Sequence, residues 1–223
     1  VERPLRFSLV AFTVLLLATV SFDGIAETPF WAGLLQWLAE NRALRPLLLE
    51  LQRAGFDLVQ VIETLGLAAA PLIFLLVYLF VSWLTARIGG GLTTLEAAGG
   101  FVLSLVPIAI AYHLAHYFSY LMLAGQLAIP LASDPFGWGW NLFGTAGRSI
   151  DISVVSARTV WYLATAAIVL GHVFAVYLGH VMALRLFADA RAALPAQLPL
   201  LVLMVGYSML SLWILAQPVV VTG

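Results

Sequence analysis

The chain has no cysteine and, although it carries ten basic residues, no lysine; every one is arginine. Without cysteine there are no structural disulfides and no thiolate metal sites. Charge of either sign is scarce. Charged residues make up 9 % of the 223 residues, against about 25 % in soluble domains. A net charge of −1 offers no basic patch for nucleic acid. The common catalytic signatures are missing too: there is no H-E-x-x-H, no G-x-S-x-G and no P-loop.

Hydrophobic residues fill the space that charge leaves, at 63 % of the chain with a mean hydropathy of +1.04. Residues 5–22, 64–86, 101–127, 159–184 and 199–218 are each about long enough to cross a bilayer, which takes roughly 20 residues. The runs are continuously apolar rather than alternating, which excludes the pattern of a membrane β-barrel. The expected fold is all-α: a polytopic helical bundle of five transmembrane helices in one membrane domain, 1–223, with the lipid bilayer as solvent. The chain begins Val1-Glu2-Arg3-Pro4, without an initiator Met, and reads as a processed product or as the C-terminal part of a longer protein. Its first apolar run has no small-residue cleavage site after it and reads as a retained helix.

Arginine placement orients the bundle. Arg3, Arg6, Arg87, Arg185 and Arg191 sit in short flanks with few acids, which the positive-inside rule assigns to the cytoplasm. The longer connections, 23–63 and 128–158, then lie outside with the C-terminus. In the first, Thr28-Pro29 supplies an N-cap and a first helical position. The stretch after it places Trp31, Leu34, Leu35 and Leu38 on one face, so residues 30–41 read as a helix lying in the interface or on the bundle. Pro46 starts a second short helix. The other connection contains "SDPFGWGWNLFGT", residues 133–145. Its aromatics read as a headgroup-level belt or as a lid over an outward-facing site.

All four histidines fall inside apolar runs. Ionisable residues there are costly and are functional candidates by default. His113 and His172 lie near the middle of the third and fourth runs. His116 shares a helix face with His113 at i, i+3. Asp23 and Glu63 could approach from the outer side. Three imidazoles and a carboxylate suit a divalent transition metal, zinc or copper, so His113, His116, His172, Asp23 and Glu63 form a candidate ligand set. Haem b between His113 and His172 is a weaker alternative, and structural polar packing is a third. His180 lies about 12 Å nearer the cytoplasm than His172 and reads as hydrogen-bonded packing. Pro107, just before the His pair, and Pro71 each read as a kink.

"VSFDG", "TPFW", "AYHLAHYFSYL", "SDPFGWGWNLFGT", "GHVFAVYLGHVMALR" and "LWILAQP" together resemble the bacterial polytopic proteins known as fenitrothion hydrolases, over residues 20–218. The resemblance implies hydrolysis of an organophosphorus ester at a bacterial inner membrane. It also implies further N-terminal helices. Two functional expectations follow. The first is a metal-dependent hydrolase of organophosphorus-type esters, with a His cluster between the third and fourth helices. The second is a non-catalytic subunit, structural or haem-binding, of a larger membrane complex with other subunits as partners.

Overall fold

A computed structural model describes residues 7–187 and 189–217. Arg3, Arg6, the first two residues of the first expected span and Pro218 lie outside the described residues. The described residues contain helices and no strand. They run α1 (Phe7–Ala26), α2 (Pro29–Glu40), α3 (Arg45–Arg53), α4 (Leu58–Gly89), α5 (Thr94–Ala124), a 3-10 turn (Gly125–Leu127), α6 (Ala128–Ser133), α7 (Ala157–Leu186), α8 (Ala190–Ala196) and α9 (Leu198–Leu215). Five stretches are long and apolar enough to cross a membrane, built on α1, α4, α5 with α6, α7, and α8 with α9. They fit the expected multi-pass fold.

Polar caps set the helix ends. The Asp57 carboxylate accepts from the backbone N–H of Val59 and Gln60 at the start of α4. Thr93 and Glu96 form a reciprocal capping box at the start of α5. Ser156 caps α7 through the N–H of Thr159. Each cap of this kind is worth about 1 kcal/mol, and each lies outside the apolar run it delimits.

Helix α5 is central. It packs on α1, α4, α7 and α9, and its interface with α7 is the largest in the bundle. The reason is side-chain size. Helix α7 presents Gly171, Ala175, Gly179 and Ala183 in a stripe four residues apart, all buried. Small residues at that spacing let two backbones approach closely in a lipid environment, where dispersion rather than dehydration drives association. A Cβ at Gly171 would collide with Ala111 and come within 3.0 Å of the Pro107 carbonyl oxygen. Pro107 therefore lies at the tightest part of this contact. On the other flank, Val14 and Leu17 of α1, Tyr78 of α4, Phe101, Leu105 and Ile108 of α5 and Met204 of α9 form one core.

Helix α2 packs on the bundle through the face expected to be apolar. Trp31 is buried, edge-on to Phe22 at 5.2 Å, while Leu34, Leu35 and Leu38 are half-buried. Phe30 and Trp37 point away and are exposed. Phe30 also lies 6.3 Å from Trp213, near the end of α9. The α1–α4 connection and the end of α9 therefore share one side, which arginine placement assigns to the outside; it is called the outer end below. The second connection, at the same end, is tied back on itself. Ser133 Oγ accepts from the backbone N–H of Phe143 and Thr145, and Asp134 accepts from Trp138 and Gly139. Gly137, Gly139 and Gly144 hold positive φ in these turns. Phe136, Trp138 and Trp140 pack on one another at 5.1–5.8 Å and stay exposed, the arrangement of a headgroup-level belt.

Candidate functional site

A histidine–carboxylate hydrogen bond at the bundle's outer end joins α1 to α5. Asp23 lies in the last turns of α1 and His116 about three-quarters of the way along α5. His116 Nε2 is 2.9 Å from Asp23 Oδ2, and the Tyr117 hydroxyl donates to the same oxygen at 2.9 Å. The Asp23 side chain is 49 % exposed and that of His116 only 13 %, so the carboxylate forms the mouth and the imidazole the floor. A carboxylate can only accept, so Nε2 carries the proton toward Asp23. In the neutral ring, Nδ1 is then the free lone pair.

Gly24 makes this approach possible. A Cβ there would lie 2.8 Å from Ile214 Cγ2, 3.0 Å from the Tyr112 hydroxyl and 3.5 Å from His116 Cε1. Tyr112 is fully buried, and its hydroxyl has no hydrogen-bond partner among the described residues. Its ring is 6.1 Å from that of His116 and stands edge-on to Tyr207 at 5.8 Å. The Tyr207 hydroxyl meets Ser21 Oγ at 3.1 Å. A seam of polar groups thus descends from Asp23 into the middle of an otherwise apolar bundle, along the contact of α1, α5 and α9.

The other histidines belong elsewhere. His113 Nδ1 donates to the Ala109 carbonyl of its own helix at 2.8 Å. His172 Nδ1 meets Ser208 Oγ of α9 at 2.9 Å, and His180 Nδ1 meets Gln197 Oε1 at 3.1 Å. Glu63 is exposed on α4. Of the five candidate ligands, the structure brings together Asp23 and His116. It leaves His113, His172 and Glu63 apart, and no group of three or more His, Asp or Glu placed to hold a metal occurs among the described residues. The cause is helix register: α5 turns His116 toward α1, and α7 turns His172 toward α9 although its neighbour Gly171 touches α5. Sequence reasoning did not single out Ser21, Tyr207 or Ser208. Their signal was available, as polar residues inside apolar runs, Tyr207 and Ser208 in the middle of the fifth and Ser21 near the end of the first.

No protein-family model, no curated protein and no solved structure matches the chain.

Proposed function

We propose that this chain carries the outer-face site of a membrane-embedded hydrolase of organophosphorus-type esters, in a bacterial inner membrane, with Asp23 and His116 as the reacting pair. One observation carries the reading: an imidazole nearly out of water, its Nε2 held by a half-exposed carboxylate at the mouth of the bundle. A carboxylate that fixes one imidazole nitrogen orients the ring and stabilises the imidazolium that forms when the other nitrogen takes a proton. His116 Nδ1 takes a proton from water; the hydroxide oxygen bonds to phosphorus, and the ester's leaving oxygen departs with the electron pair of the broken P–O bond. The imidazolium then returns its proton to that oxygen or to solvent. Tyr117 holds the carboxylate in place by donating to the same Oδ2.

The donors as placed do not fit a three-imidazole zinc or copper site. Asp23 and His116 supply two ligands, and His113 and His172 point to other partners. The steps above therefore use the chain's own groups.

The test is hydrolysis of p-nitrophenyl phosphotriesters by purified protein in lipid nanodiscs. Asp23→Asn and His116→Gln are expected to lower turnover by about 10²- to 10⁴-fold, the usual scale for a general base. His180→Gln, which alters a distant polar pair, is expected to keep it. A folded wild-type protein without turnover above buffer would select the competing reading, a non-catalytic membrane subunit. That reading is favoured by one observation of its own: His172 and His180 each bond a side chain of another segment, as structural pairs do.

A further inference from the structure

A cavity of about 350 Å³, open on one side, lies between α1, α4, α5 and α9. That is within the range of small-molecule sites, roughly 300–1,000 Å³. Its walls include Val14, Ile73, Phe74, Leu105, Met204 and Tyr207. Both tyrosines on its wall turn their hydroxyls elsewhere: Tyr78 donates to the Ala98 carbonyl at 2.7 Å, and Tyr207 meets Ser21. A water-soluble ligand would find no polar partner here and would lose its hydration without compensation. The mouth opens sideways, between α4 and α9, where the wall residues Ile73, Val77 and Val202 are exposed. At that depth the medium outside is hydrocarbon. A hydrocarbon chain seated in it makes dispersion contacts with every wall.

The cavity also borders the polar seam. Tyr207 belongs to both, and Leu17 on the wall lies six residues below Asp23 on α1, about 9 Å along the axis. We infer that this cavity binds the single hydrocarbon chain of a membrane amphiphile, whose head group lies toward Asp23 and His116. The substrate class of the site is then a long-chain ester drawn laterally from the bilayer. This deepens the hydrolase reading and rests on it for the word substrate, while chain binding stands by itself.

Gly206 gives the experiment. It is exposed at the cavity's mouth, and a Cβ there meets no atom within 4 Å, so Gly206→Leu sets a bulky side chain at the opening without an internal clash. The probe is a photoactivatable palmitate added to the full chain in detergent, with labelled residues located by mass spectrometry. Labelling is expected to concentrate on the cavity wall, at about one chain per protein, with unlabelled palmitate competing. In Gly206→Leu it should fall at least tenfold, with helicity and elution unchanged. If that variant misfolds, competition in the wild type and a partial loss in Gly206→Ala decide instead. Labelling spread evenly over exposed positions of α7 such as Val173, or insensitive to competition, overturns the inference. A second arm compares two p-nitrophenyl phosphotriesters, one with a hexadecyl and a methyl group on the other oxygens and one with two methyl groups. A wild-type preference for the long chain that disappears in Gly206→Leu supports the inference, and equal turnover of both refutes it while leaving the hydrolase reading intact. Chain labelling without turnover of either ester refutes the hydrolase reading alone.

Discussion

Adding one methyl group at Gly171 sets two effects against each other. Alanine is the better helix former, by about 1 kcal/mol in a helix interior. At this position, however, the new Cβ collides with Ala111 and reaches 3.0 Å from the Pro107 carbonyl oxygen. The second neighbour is backbone and cannot rotate away. Overpacking of this kind costs about 1–3 kcal/mol, so Gly171→Ala should destabilise the bundle by roughly 1 kcal/mol net. Gly206 supplies the opposite case on α9, because nothing lies within 4 Å of its added Cβ. Gly206→Ala should be neutral or stabilising by up to about 1 kcal/mol. Reversible unfolding in mixed micelles, followed by far-ultraviolet circular dichroism, measures both. Ala111→Gly added to Gly171→Ala should recover part of the loss, because it removes the nearer obstacle. If Gly171→Ala proves as stable as Gly206→Ala, the close α5–α7 contact is wrong, and with it the account of the small-residue stripe.

Three further outcomes are expected. Tyr207→Phe removes the bond to Ser21 and should cost about 0.5–1 kcal/mol in the same assay, the usual scale for interhelical hydrogen bonds in membranes; a gain in stability would refute a favourable pair. Single cysteines at positions 40 and 88 of this cysteine-free chain should react with an impermeant maleimide from opposite sides, and labelling from one side would overturn the topology. In the outer loop, Asp151 has its carboxyl held below the ordinary aspartate range by the Ser153 hydroxyl and N–H. Because the folded value is the lower one, the turn's contribution is present above the ordinary aspartate pKa and lost as pH falls through the depressed value. Ser153→Ala should move the Asp151 titration back up, as read by carboxyl-carbon NMR.

The membrane spans were readable because hydropathy alone determines them. Their ends were less so, since Asp57, Thr93 and Ser156 sit in polar flanks that a hydropathy window trims away; α4 starts at Leu58 where the apolar run suggests 64. The Asp23–His116 pair was legible as two members of a larger set. The separation of His113 and His172 from that pair was not recoverable from spacing. Helix α5 is apolar nearly all round, so no polar face fixes which neighbour each ring meets. The i, i+3 rule put His113 and His116 on one side of the helix, yet the short reach of Nδ1 to the Ala109 carbonyl satisfied His113 within its own turn. Tertiary register, which apolar composition does not encode, decided the outcome.

Helix α4 acts as a ruler against the bilayer. Its 32 residues at 1.5 Å each measure about 48 Å. A hydrocarbon core of about 30 Å, crossed at the usual tilt of about 20°, takes up only some 21 residues. The lower end is pinned where the Arg87 guanidinium stacks 5.7 Å over the Trp83 ring, a pairing suited to the inner headgroups. Counting outward from there, the hydrocarbon ends near Gly66. The first two turns of α4, with Asp57, Gln60 and Glu63, therefore stand among outer headgroups or in water. Glu63 bears no burial cost at that height. It stands about one turn above Gly66, which faces Phe22, the residue before Asp23 on α1.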